Sequence, residues 1–185
     1  MATVVLLVGY GLIFVIFTVL LVYFVIFFDS TVGNLDFISS RLVAARVIDI
    51  VKRQHLEIGN FYDLGSARGQ FAARIVKRLP KLKVYGFDNS GFRTFLSKIR
   101  SPFFKNLKFK KQDIFAVDVS AADVVYLYLP QELMPALQIK LQRELKRGGL
   151  VISNSVSFPS WSPSETFIMD KDKSNFKKLF VYKHI

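Results

Sequence analysis

The chain has 185 residues, which is enough for one domain of ordinary size and a short additional segment. It has no cysteine and only two histidines, so disulfides and thiolate chemistry are excluded and we expect no metal site. The net charge of +12 suits an anionic partner, either a membrane surface or a nucleic acid, and the alternative is a solvated basic face with no partner.

The first 28 residues contain no charged side chain and are rich in Val, Leu, Ile and Phe. About 20 such residues cross a ~30 Å hydrocarbon core, so residues 1–28 are predicted to form one transmembrane helix. A cleaved signal peptide would have a basic segment ahead of a shorter apolar stretch, and this segment has neither. Every Lys and Arg follows the helix, which predicts a single-pass protein with its C-terminal domain on the cytoplasmic side. The helix makes the lipid bilayer the expected partner of the basic surface, and we expect no nucleic acid.

The remaining residues divide into a polar connector at 29–36 and a domain at 37–185. In the domain, short apolar runs alternate with segments of helical periodicity. We predict helices at residues 37–54, 70–78, 91–99 and 131–146. Ser39 or Ser40 is the expected N-cap of the first helix. We predict strands at residues 58–64, 83–87, 107–111, 123–129, 150–154, 166–169 and 179–182. The alternation predicts a parallel α/β sheet with right-handed crossovers, closed by the last two strands as an antiparallel hairpin.

A glycine-containing turn follows the first predicted strand, in the order Asp63-Leu64-Gly65-Ser66-Ala67-Arg68-Gly69. Such a turn between a buried strand and a helix lets the backbone approach a nucleotide-like ligand, and the helix N-terminus offers free N–H groups. The order does not match the G-x-G-x-x-G pattern of dinucleotide-binding proteins, which argues against NAD-dependent oxidoreduction. The acid two residues before the first glycine, Asp63, suits a ligand that carries an ammonium group.

Three acids end or follow the first three predicted strands, namely Asp63, Asp88 and Asp113. Ligands of open parallel sheets bind beyond the carboxyl ends of the strands, so these acids are expected at one site. An acid after the second strand can accept both hydroxyls of a ribose. Asp113 can accept from an adenine amino group, with Ile114 packed on the ring.

The turn resembles the D/E-x-G-x-G-x-G loop of class I S-adenosylmethionine (SAM) methyltransferases. Residues 123–130, 145–153 and 158–163 are further similar to one subfamily, the small membrane-anchored protein-lysine methyltransferases of mitochondria and their prokaryotic relatives. Mitochondrial members methylate lysines of the ATP synthase c-subunit and the adenine nucleotide translocase. The resemblance implies an α/β fold, with a Rossmann-like seven-stranded class I methyltransferase sheet preceded by one N-terminal transmembrane helix.

The resemblance also implies SAM as cofactor and a membrane-protein substrate. The residues predicted to bind the cofactor are Asp63, Gly65, Ser66, Ala67, Gly69, Asp88, Asn89, Asp113 and Ile114. In such relatives a segment like residues 37–40 precedes the first helix and helps to close the SAM site.

Methyl transfer to lysine requires a neutral amine, which a channel of low dielectric constant favours by lowering the amine pKa. The residues predicted to line this channel are Tyr126, Tyr128, Pro130 and Trp161. Aromatic rings there would hold the amine by cation–π contact. The alternative is that the two tyrosines pack on helices within the sheet and that Trp161 fills the core under a loop.

Two residues of the turn depart from the family pattern. Ala67 stands in place of the middle glycine, and Arg68 stands where an acid is common. Both departures leave open a membrane-tethered module that binds SAM but is catalytically weak. A methyltransferase acting on a lipid, a quinone or another small amphiphile is the other alternative, because a membrane anchor suits those substrates equally well.

Overall fold

The computed structural model describes residues 1–31, 39, 41–99, 101–169 and 178–185. The chain divides into two compact units, Met1–Asp36 and Phe37–Ile185. Most of the predicted connector at 29–36 lies outside the described residues, as does Ser40.

The first unit contains one helix, α1, at Ala2–Thr31, which continues three residues past the predicted end. Its stretch Leu6–Phe24 has a mean hydropathy of 2.6 and its large apolar side chains are exposed. The Thr18 hydroxyl donates to the Phe14 carbonyl at 2.7 Å, so this polar group is satisfied within the helix. By length and composition α1 can cross a membrane.

The second unit is a seven-stranded sheet with helices. The strands are β1 (Gly59–Leu64), β2 (Leu82–Asp88), β3 (Leu107–Lys111), β4 (Val124–Leu127), β5 (Leu150–Asn154), β6 (Glu165–Ile168) and β7 (Lys178–Lys183). The α-helices are α2 (Arg41–Arg53), α3 (Gln70–Arg78), α4 (Gly91–Lys98) and α5 (Met134–Glu144), and short 3₁₀ helices form at Ser101–Phe103 and Gln131–Leu133.

The strand order is β3-β2-β1-β4-β5-β7-β6. The first five strands are parallel, while β7 is antiparallel to both β5 and β6. Parallel α/β topology and the closing antiparallel hairpin are therefore confirmed. The chain reverses its direction of travel across the sheet between β1 and β4, and ligands of open α/β sheets bind outside the carboxyl ends of the strands at such a switch point.

Each strand of the sheet centre divides its side chains between two apolar cores. Along β4, Val124 and Tyr126 belong to the core that contains α2 and α3, whereas Val125 and Leu127 belong to the core that contains α5. This alternation follows from the two-residue period of a strand. It fixes which face of the sheet each candidate site residue can reach.

The predicted helix at 131–146 begins later than expected. Residues Gln131–Leu133 form a 3₁₀ turn, and the α-helix starts at Met134 with Pro135 in its first turn. Proline has no N–H to donate and is favoured at the start of a helix, which sets this boundary. Strand β4 is shorter than the predicted 123–129 because its pairing with β1 and β5 ends at Leu127.

Candidate functional site

The turn between β1 and α3 has an unusual backbone. Gly65, Ala67 and Gly69 have φ values of 82°, 46° and 73°, all in the left-handed region. The Gly65 and Ser66 N–H groups both donate to the Phe87 carbonyl at 2.9 Å, which ties the turn to the end of β2. Left-handed φ costs a non-glycine residue about 1 kcal/mol, so the loop accepts Ala67 in a strained conformation.

Asp88 holds that strained residue in place. One of its carboxylate oxygens accepts from the Ala67 N–H and the other accepts from the Ser90 N–H, both at 2.9 Å. Ser90 in turn caps α4 by accepting from the Arg93 N–H. Asp88 therefore organises the turn itself. Its predicted contact with a ribose stays a prediction, which the remaining lone pairs of the carboxylate permit.

Small residues under the turn leave room for an aromatic ring. A Cβ atom added to Gly69 or Gly86 would lie 2.4 Å from Phe109 of β3. Phe109 is buried in the core that contains α3. The sequence offered the apolar periodicity of β3 as a signal for this residue, but not its contact with the two glycines.

Asp63 is the most perturbed acid of the site. It lies at the carboxyl end of β1 and is only 3% exposed. Burial, followed by repulsion from the Asp88 carboxylate, raises its pKa to about 8. Within the described part of the chain, its Oδ2 atom has no hydrogen-bond partner. A buried oxygen without a donor fits the ammonium group for which the sequence proposed Asp63.

The other predicted cofactor residues lie around the carboxyl ends of β2 and β3. Asn89 directly follows β2 and is exposed. Asp113 is exposed two residues after β3, and one of its oxygens accepts from the Phe115 N–H at 3.0 Å. Ile114 is half-buried against the core that contains α5. Their contacts with an adenosine group stay predictions.

Tyr126 lies within β4 and is 1% exposed. Its ring stacks on Phe71 of α3, with 3.9 Å between the ring centroids. Its hydroxyl shares a hydrogen bond of 2.5 Å with the Ser39 hydroxyl, and burial raises its pKa above the usual range. Ser39 thus bonds across to β4, and its carbonyl accepts from Arg74 at 2.8 Å. Tyr126 is thus packed within the core and bonded to Ser39, and its predicted contact with a substrate stays a prediction.

The residues after β4 lie over the glycine turn. A Cβ atom added to Gly65 would lie 2.6 Å from Leu129, a residue absent from the sequence-based site. Tyr128 is half-buried against the same core as Tyr126, and Pro130 is exposed. Tyr128 and Pro130 are therefore near the turn, where their predicted contact with a substrate stays a prediction.

Trp161 lies elsewhere. Its ring packs on Phe158, Tyr182 and His184, with centroid distances of 5.5, 5.2 and 6.3 Å. The Gly148 N–H donates to the His184 carbonyl, which places His184 beside the amino end of β5. The structure therefore groups Trp161 with core residues near the amino ends of the parallel strands. It does not bring Trp161 together with the glycine turn.

Comparison with known proteins identifies the family. A profile described as the ANTKMT methyltransferase domain matches residues 63–165, which is more than half of the chain. The chain belongs to this methyltransferase family. The match begins at Asp63 and includes the glycine turn, Asp88, Asp113 and the segment after β4.

Individual relatives agree with this assignment. A protein-lysine N-methyltransferase of Saccharolobus islandicus is 28% identical over 136 residues, covering 72% of this chain and 83% of the relative. The ATP synthase c-subunit lysine N-methyltransferase of Xenopus laevis is 25% identical over 149 residues, covering 76% of this chain and 65% of the relative.

Solved structures agree on the fold. An RNA methyltransferase of Salinibacter ruber, crystallised with S-adenosyl-L-homocysteine, superposes with a TM-score of 0.69 at 21% identity, covering 79% of this chain and 92% of that one. The class I methyltransferase fold and the resemblance to the lysine methyltransferases are thus confirmed. The enzyme is a methyltransferase, and SAM is its cofactor.

Proposed function

We propose that the protein is a membrane-anchored enzyme that methylates lysine side chains of membrane-associated proteins. The observation that carries the proposal is the family match, whose relatives are named as protein-lysine methyltransferases in both an archaeon and vertebrates. The apolar helix α1, which is long enough to cross a membrane, supports the membrane anchor in this proposal. Because the chain covers 65% of the frog relative, the substrate of that relative is not transferred as a whole to this chain.

The turn and the three acids are assigned to the cofactor, which supplies an activated methyl group when bound. Asp63 would accept from the ammonium group and Asp88 from the ribose hydroxyls. Asp113 and Ile114 would hold the adenine. The backbone of the turn, with Gly65 and Gly69, would allow the cofactor to approach closely. Ser66, Ala67 and Asn89 would complete the wall of the cofactor site.

The remaining task of the chain is to present a neutral amine in line with the methyl group. Tyr128 and Pro130 are assigned to the channel through which the lysine enters, because they follow β4 beside the glycine turn. Exclusion of water there would lower the pKa of the lysine, so that no dedicated general base is required. Tyr126 is assigned to positioning of the channel wall, since it is buried between Phe71 and Ser39.

We further propose that α1 spans the membrane and that the domain is cytoplasmic, since every Lys and Arg follows the helix. The domain is small and leaves little room for a separate substrate-recognition insertion. Tethering to the bilayer would instead raise the effective concentration of membrane-embedded substrates.

The experiment that tests this function follows the methyl group. Membranes from cells lacking the enzyme are incubated with the full chain and SAM carrying a radioactive methyl group, and protein, lipid and soluble fractions are then counted. We expect the label in the protein fraction. Asp63→Asn is expected to abolish incorporation, whereas Asp118→Asn, a matched change at an exposed turn, should leave it intact.

Label in the lipid fraction would contradict the proposal and favour the amphiphile alternative. SAM binding without incorporation into any fraction would favour the catalytically weak binding module, for which Ala67 and Arg68 left room.

A further inference from the structure

A second candidate site lies outside the cofactor region, in a groove of about 790 Å³ lined by α2 and α3. Three of its lining residues are apolar, namely Ala44, Ala45 and Ile48. Its walls carry five cations, at Arg41, Lys52, Arg74, Lys77 and Arg78. We call this feature the basic groove.

Within the described part of the chain, the acids do little to neutralise the charge of the basic groove. Among the described residues that line it, Asp49 is the one acid. Its carboxylate is 3.6 Å from both Arg46 and Arg53, which are not lining residues, so its charge is shared with cations outside the groove. Arg74 donates to the carbonyl of Ser39, a neutral group that brings no opposing charge to the groove. Five cations around one groove with small apolar lining residues suit a phosphate group, which Arg and Lys bind by charge-assisted hydrogen bonds.

The position of the groove in the sequence suggests the source of that phosphate. Arg41 follows the end of α1 at Thr31 by ten residues. Ten residues reach at most about 35 Å, and this length of chain is the upper limit on the distance between Arg41 and the end of the proposed membrane helix. The cytoplasmic leaflet carries anionic lipids that attract basic residues close to the membrane.

We propose that the basic groove binds the phosphate headgroup of an anionic phospholipid in the membrane that holds α1. The inference rests on the proposed membrane anchor and cytoplasmic orientation, and it goes beyond the methyl-transfer site. Headgroup binding would hold the α2–α3 side of the domain against the bilayer and limit the directions in which the cofactor site can face.

The test uses the full chain in mild detergent, mixed with equal amounts of phosphatidylglycerol and phosphatidylcholine. Native mass spectrometry then counts the lipids that stay bound. We expect the chain to retain phosphatidylglycerol in preference. The triple variant K52Q/K77Q/R78Q should lower that preference by about tenfold or more. The matched triple K105Q/K108Q/K183Q removes the same charge from exposed lysines outside the groove and should leave the preference unchanged.

A single substitution provides a second test in case the triple variant does not fold. Ala45 is exposed on α2 and lines the groove, so Ala45→Glu introduces a repelling carboxylate at little cost to the helix. Ala45→Gln is its neutral control. We expect Ala45→Glu to lose the phosphatidylglycerol preference and Ala45→Gln to keep most of it, with SAM binding retained in both.

Equal loss in both triple variants would mean general charge attraction and would overturn the proposal. So would the absence of any lipid preference, or displacement of the lipid by millimolar inorganic phosphate, which would indicate a site for a free anion. Lipid retention does not require SAM. Lipid retention without methyl transfer would therefore contradict only the proposed function. Methyl transfer without lipid retention would contradict only the proposed lipid site in the basic groove.

Discussion

Asp63 is an ionisable acid that is buried, and burial disfavours its charged form when no ligand is bound. Its carboxyl group is buried, and its pKa is raised to about 8 by burial and by Asp88. The folded state therefore holds a proton that the unfolded chain releases near pH 4, and stability falls as the pH rises from about 4 to about 8. A buried acid that weakens the fold at neutral pH is typical of a residue kept for ligand binding.

Replacement of Asp63 by Asn should separate stability from binding. Asn does not titrate, so at pH 8 the variant should resist unfolding better than the original chain, by several kcal/mol. It should bind SAM about tenfold or more weakly, since a charge-assisted hydrogen bond to the ammonium group is lost. Thermal unfolding from pH 4 to pH 8 and calorimetric titration with SAM check the two effects. If the Asn variant is no more stable than the original chain at pH 8, then burial does not destabilise the charged form of Asp63, contrary to this account.

Two glycines allow a matched comparison, Gly69 in the glycine turn and Gly148 between α5 and β5. Gly69 and Gly148 both have left-handed φ values, of 73° and 78°. A Cβ atom on Gly69 would overlap Phe109, whereas a Cβ atom on Gly148 would meet nothing within 4 Å. Gly148→Ala should therefore cost only the backbone strain of about 1 kcal/mol, and Gly69→Ala about 2–4 kcal/mol.

Chemical denaturation of the two variants measures this difference directly. Gly69→Ala should also weaken SAM binding, because the turn must shift to admit the methyl group. Equal destabilisation of the two variants would contradict the described packing of Phe109 under the turn.

At the scale of elements, Ser39 is joined to β4 and to α3 by two hydrogen bonds. The Ser39 hydroxyl bonds to Tyr126, and the Ser39 carbonyl accepts from Arg74 of α3. These contacts connect residues that are 87 and 35 positions apart in the chain. They hold Ser39 beside the core that Tyr126 shares with Phe71.

A double-mutant cycle tests the first contact. Ser39→Ala and Tyr126→Phe should each lower the free energy of unfolding by about 1 kcal/mol, and the double variant should cost little more than either single change. The resulting coupling energy of about 1 kcal/mol would measure the hydrogen bond. Additive effects of the two changes would show that the hydroxyl groups do not interact.

Much of the sheet was predictable because its strands have local signals. Apolar runs beside Gly, Pro or Asp mark β1, β2, β4 and β5, and the predicted limits of β3, β5 and α3 agree with the structure. The site was less predictable. The raised pKa of Asp63 depends on packing from several elements, and the bond between Ser39 and Tyr126 joins distant residues. Trp161 illustrates the limit, because its packing on Phe158, Tyr182 and His184 fits the core alternative, while its predicted role at the substrate stays a prediction.

At the scale of the whole molecule, the two units are expected to have separate roles. Removal of residues 1–36 should leave the affinity for SAM within about twofold, because every residue assigned to the cofactor lies in Phe37–Ile185. The same truncation should lose most activity on membrane proteins, since the effective concentration supplied by the tether disappears. Parallel titration and methylation assays check this. Full activity of the truncated chain on membrane substrates would show that the helix does not select them.

The most direct measurement of the central claim is the chemical identity of the methylated group. Membrane proteins incubated with SAM and the full chain are digested and analysed by tandem mass spectrometry, with Asp63→Asn as the inactive control. The account predicts methyl groups on lysine side chains of membrane-associated proteins, present with the original chain and absent with the variant. Methylation confined to other side chains, to lipids or to soluble proteins would contradict it.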